Sequence, residues 1–169
     1  MRSVWITVVS VVVIVIFTSM TAWYIIRVNS KFTKSLYYLF VFSMIVPFQM
    51  VMYTMTFVVN TIAFNNVFGI ILVYLGFGAG LAVFMFTGFV KSIPVEVEEA
   101  ATIDGCTPLQ TFFMVVFPML KSITITVAIL NVMWICNDYL LPYLILGESQ
   151  KTIPVAIQIA MQGAYGATD

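Results

Sequence analysis

Long uncharged apolar runs leave this chain few ways to fold. No charged residue lies between Arg2 and Arg27, and runs such as Val11-Val-Val-Ile-Val-Ile16 show no apolar–polar alternation. A membrane-spanning helix needs about 20 mostly apolar residues. Four stretches meet that requirement, at about residues 4–26, 35–59, 67–90 and 113–146. Strands of a closed barrel would alternate over about ten residues, so helices are the better reading. Charged residues make up only 8% of the chain, against about 25% in soluble domains, which is too few to clothe a water-facing surface. The expected fold is all-α and transmembrane: one bundle of about four spans over residues 1–169, embedded in a lipid bilayer.

The fourth stretch is interrupted by Pro118, Lys121, Asp138 and Pro142, and its apolar middle runs from Ile123 to Cys136. The second contains Pro47. A proline there frees a backbone carbonyl and permits a bend, serving either a moving hinge or the point where the helix surfaces. Orientation follows the basic residues of short loops. Arg27, Lys31 and Lys34 follow the first stretch, Lys91 and Lys121 follow the third, and the loop Asn60–Asn66 carries none. The first and third loops, including residues 91–121, are therefore expected in the cytoplasm, with both termini outside. Met1 abuts a span, and the tail Pro154–Gln162 does not resolve into another. These ends suggest a piece of a larger membrane protein. The first apolar run exceeds the roughly 7–15 residues of a signal peptide's core.

Several classes of function are disfavoured. Net charge is zero, so no bulk positive field attracts nucleic acid. There is no His, which removes the commonest general base and metal ligand. Cys106 and Cys136 are expected on opposite sides of the membrane as free thiols, and no metal or cofactor is expected. A membrane enzyme would need paired intramembrane carboxylates or a metal cluster. An ion-coupled secondary transporter needs ionisable groups in mid-span. The first three stretches hold no carboxylate or Lys, and Asp138 lies near an end. No G-x-x-x-x-G-K-[ST] phosphate loop occurs. The small residues of Gly76-Phe-Gly-Ala-Gly80 instead suit close helix approach.

The one long polar interval lies between the third and fourth stretches, as a loop over 91–112 containing Glu96, Glu98, Glu99 and Asp104. Pro94 suits a first helical turn, with Ser92 upstream as a cap. The glutamates fall where the helix dipole favours negative charge. Asp104-Gly105 should end that helix with a left-handed glycine. Thr107-Pro108-x-Gln110 has the form of a fresh helix start, and Pro118 should kink this second helix. A short helix with small Ala100 and Ala101 beside Glu99 suits a protein groove; the alternative is a merely solvated helix.

The segment Glu99-Ala-Ala-x-x-x-Gly105, followed after nine residues by Val115-x-Phe117-Pro118, resembles the EAA loop of bacterial binding-protein-dependent ABC importer permeases. Val115 and Phe117 stand where that family usually has Ile and Leu. The flanking Ser92–Gly105 resembles the carbohydrate, maltose-type branch, as does Asn137-Asp138 before Pro142, although Cys136 stands where Trp is common. The resemblance implies a six-span permease of the bacterial inner membrane, of which this chain would lack the first and last spans. It implies that Glu99, Ala100, Ala101 and Gly105 form a coupling helix on a cytoplasmic ATP-binding subunit dimer, with Pro118 transmitting movement. A second permease subunit and an extracytoplasmic substrate-binding protein are the other implied partners, and the implied cargo is a sugar or oligosaccharide.

Polar groups within membrane segments are costly and usually functional. Gln49, Tyr53, Asn131, Asn137 and Asp138 are therefore the substrate-pathway candidates. Interfacial packing is the stronger reading for Gln49 and Tyr53, since Tyr gathers at membrane interfaces. Asn137 and Asp138 either shape the outer mouth or cap a helix beside Pro142.

Overall fold

The first apolar stretch forms a single helix, α1, over Arg2–Val28. Two of its buried hydroxyls are satisfied within the helix: Thr18 and Ser19 donate to the Ile14 and Val15 carbonyls at 2.6 Å each. That is how polar residues are tolerated where no water competes. These contacts come from a computed structural model, which describes residues 2–62, 64, 66–138, 140–146, 156–157 and 160–161. Asn29 takes a left-handed conformation (φ 42°). Ser30 then caps α2 (Lys31–Ile45) through a reciprocal capping box with Thr33.

The second stretch is divided. Val46 is extended (φ −73°, ψ 117°), as expected for a residue preceding proline. Pro47 opens α3 (Phe48–Thr61), and the axes of 31–45 and 50–61 differ by 109°. Residues 35–59 are thus not one straight span. At 15 residues, α2 reaches only about 22 Å. The side chain of Gln49 lies outside the described residues.

The third stretch, α4 (Val67–Val90), has the bounds expected from hydropathy. Asn66 caps it, accepting from the Gly69 amide at 2.9 Å. α4 is the centre of the bundle. Ile70, Tyr74, Ala82, Val83, Phe86 and Val90 are buried, and α1, α2 and α8 (Lys121–Asn137) pack around it. The polar loop beyond it holds α5 (Val95–Ile103).

The fourth stretch departs most from expectation. With the end of the loop it comprises α6 (Pro108–Thr111), a π turn (Phe112–Val116), α7 (Phe117–Met119), α8 and α9 (Leu140–Leu146). The axis of 108–119 meets α8 at 78°, so residues 113–146 are not one straight helix. The bend falls at Leu120 (φ −81°, ψ 5°), not at Pro118. Pro118 lies in the first turn of α7, where its missing N–H is tolerated. The wider π turn precedes it, with the Phe117 amide bonding the Phe112 carbonyl. Among the described residues, α1 and α4 are each long and apolar enough to cross a membrane, and the two bent pairs raise the number to as many as four.

Candidate functional site

The polar loop folds into a short helix, a glycine turn and a second start. Pro94 is the N-cap of α5, one position earlier than expected, and makes no side-chain cap. Ser92, the expected cap, instead donates to the Phe89 carbonyl at 2.7 Å and closes the end of α4. After Asp104, Gly105 adopts φ +85°. The Gly105 and Cys106 amides return to the Thr102 and Ala101 carbonyls at 3.0 Å each, a glycine-terminated helix end. Thr107 and Gln110 form a reciprocal capping box around Pro108.

The adjacent glutamates have opposite fates. Glu99 and Ala100 are exposed, whereas Glu98 and Ala101 are buried. Glu98 Oε1 accepts from Arg27 Nε at 2.9 Å and Nη2 at 2.6 Å, and Glu98 Oε2 accepts from Trp23 Nε1 at 2.9 Å. Arg27 Nη2 also donates to the Ile93 carbonyl at 3.0 Å. The end of α1 is thereby tied to the start of α5, which puts the first and third loops at one end of the bundle. Trp23 lies 5.4 Å, ring to ring, from buried Phe112 in the π turn. Sequence reasoning did not single out Glu98, Trp23 or Arg27 as a site. The available signal was Trp23 and Arg27 one helical turn apart at the end of a span, but nothing local pairs them with a carboxylate.

Away from this joint, the loop presents an apolar surface. Ile103 is 85% exposed and Met114 69% exposed, and Leu109 is also open. Pro118 is exposed on α7.

The substrate-pathway candidates are dispersed. Tyr53 is exposed on α3. Asn131 is buried in α8 and donates to the Val127 carbonyl at 2.9 Å, with its Oδ1 against Gly78. Asn137 is exposed and donates to the Met133 carbonyl at 2.7 Å. Asp138 is a helix cap: its Oδ1 accepts from the Leu140 and Leu141 amides at 3.0 and 3.4 Å, and its Oδ2 accepts from the Tyr74 hydroxyl at 3.2 Å. Among these four described side chains no hydrogen bond joins one to another. Asp138→Ala is expected to cost about 1 kcal/mol as a lost cap. Asp138→Asn should retain most of that stability, as read by thermal unfolding in detergent. Equal losses in both variants would contradict a capping role.

Residues 14–165 match the family described as the binding-protein-dependent transport system inner membrane component. The chain belongs to this family. As a member with at least two helices able to cross a membrane, it is a multi-pass membrane protein. Among its relatives is the "Probable starch degradation products transport system permease protein AmyC" of Thermoanaerobacterium thermosulfurigenes, 41% identical over 90% of this chain and 56% of that protein. The "Multiple sugar-binding transport system permease protein MsmG" of Streptococcus mutans is 36% identical over 95% of this chain and 59% of its own length. The "Melibiose/raffinose/stachyose import permease protein MelC" of Bacillus subtilis is 35% identical over 93% and 56% respectively. The chain thus spans a little over half the length of these family members.

Proposed function

We propose that the chain is part of the permease subunit of an ATP-driven importer for a sugar or oligosaccharide, and that α5 with its Gly105 turn docks on a cytoplasmic ATP-binding subunit. The observation that carries this reading is the outward face of α5. Glu99, Ala100 and the 85%-exposed Ile103 share a helix whose opposite side is pinned by Glu98. Ile103 is joined by exposed Leu109 and Met114 in the same loop, and exposed apolar patches mark protein contacts; the small Ala100 permits close approach. The relatives' names, each referring to sugars or starch products, support the cargo class. ATP hydrolysis then belongs to a separate subunit, a second permease subunit completes the pathway, and an extracytoplasmic binding protein delivers the substrate. Asp138, on which an ion-coupled reading depended, is already engaged as a cap.

A cysteine placed at Ile103 of the full-length permease is expected to cross-link to an ATP-binding subunit in intact cells. Ile103→Glu is expected to weaken recovery of that subunit by roughly tenfold, the loss typical of a central apolar contact. Membrane insertion should be unaffected. Absence of any ATP-binding subunit among the cross-linked species would remove the basis of this assignment.

A further inference from the structure

We propose that the Trp23–Arg27–Glu98 cluster is the joint through which movement of α5 enters the membrane, so that α1 carries that movement and Glu98 is a positioning residue for transport. This rests on α5 being the docking helix, and adds the route by which docking acts. Three observations assign the route. First, both carboxylate oxygens of Glu98 are held from α1, one by two nitrogens of Arg27 and the other by the Trp23 indole. Arg27 also grips the Ile93 carbonyl, so α1 holds the loop both before and within α5. Second, the Glu98 and Arg27 side chains are only 10% and 19% exposed. A forked ion pair so placed resists sliding, because any displacement strands a charge away from water.

Third, beyond the short 91–94 link back to α4, the route through α1 and the route through α6 differ in continuity. The route through α6 and α7 crosses the π turn and a 78° bend before reaching α8. α1, by contrast, is a continuous helix over Arg2–Val28 that packs along α4 and α8. A push at its inner end moves it as a body, whereas the other outlet has two places to flex. The Trp23–Phe112 contact lets the joint steady the π turn as well. Glu99, one residue away and exposed, has no part in this joint and meets the partner instead.

The test uses the full-length permease assembled with its ATP-binding subunits, second permease subunit and binding protein in proteoliposomes. Glu98→Gln keeps the shape of the side chain and removes its charge. It is expected to leave cross-linking from position 103 to the ATP-binding subunit intact, while transport per ATP hydrolysed falls by about tenfold, within the range of site-to-site coupling. Glu99→Gln should do the reverse, weakening the cross-link first. Trp23→Phe keeps the ring against Phe112 and loses one donor. It should lower the coupling ratio by a smaller factor, and it decides the matter if Glu98→Gln does not insert. Wild-type coupling in a variant that inserts would overturn the proposal. So would loss of the cross-link in step with transport, which would mean that the cluster merely keeps α5 folded. Failure of the wild-type cross-link would overturn the docking reading instead, so the two failures are distinguishable.

Discussion

Gly105→Val is expected to uncouple nucleotide hydrolysis from transport without preventing membrane insertion. Gly105 sits at φ +85°, a conformation that strongly disfavours a β-branched residue and costs about 1–3 kcal/mol when imposed. A Cβ built at this position meets nothing within 4 Å, so the effect is one of backbone preference alone. The strain is relieved by breaking the Gly105 and Cys106 bonds to Thr102 and Ala101, which releases α6 from its fixed angle to α5. That cause implies a graded series. Gly105→Asn should be close to native because Asn tolerates the left-handed region, Gly105→Ala intermediate, and Gly105→Val worst. The readout is stimulation of ATP hydrolysis by loaded binding protein in the reconstituted complex. Native stimulation and transport in the valine variant would refute the role given to this turn.

Gly80→Val should separate α2 from α4. A Cβ on Gly80 would stand 2.8 Å from the Phe40 carbonyl oxygen, 2.8 Å from Ser43 Oγ and 3.2 Å from the Met44 amide nitrogen. The Ser43 hydroxyl is itself bonded to the Phe40 carbonyl at 2.7 Å, so the obstruction is helix backbone and a tied side chain. Overpacking of this kind typically costs about 1–3 kcal/mol. Gly76 and Gly88 provide the contrast on the same helix, since neither has an atom within 4 Å of a built Cβ. Valine at either should be tolerated. Thermal unfolding in detergent, with a cysteine pair across α2 and α4, measures both stability and separation. Similar behaviour of all three variants would show that α2 does not depend on this close approach.

Much of the architecture was legible because its causes are local. The bounds of α4 follow from an uninterrupted apolar run ended by Lys91 and capped by Asn66. The Gly105 turn and the Thr107 capping box are written within a few residues of where they act. The Gly76–Gly80 run signalled close approach, but only the fold shows that Gly80 meets α2 and that Gly76 meets nothing. Pro47 left two readings open, and the structure places the chain's change of direction there. Pro118 was misleading: a proline's effect depends on how the preceding turn accommodates its missing donor, and here a π turn precedes it while the bend lies at Leu120.

By itself, the sequence determined that this chain lives in a bilayer as helices and carries one structured polar loop, because hydropathy and capping act over one or two helical turns. Which of two neighbouring glutamates faces outward was decided only by the tertiary structure. Glu98 is drawn inward by an arginine and a tryptophan more than 70 positions earlier in the chain, and such a partner exists only once α1 and α5 have been brought together.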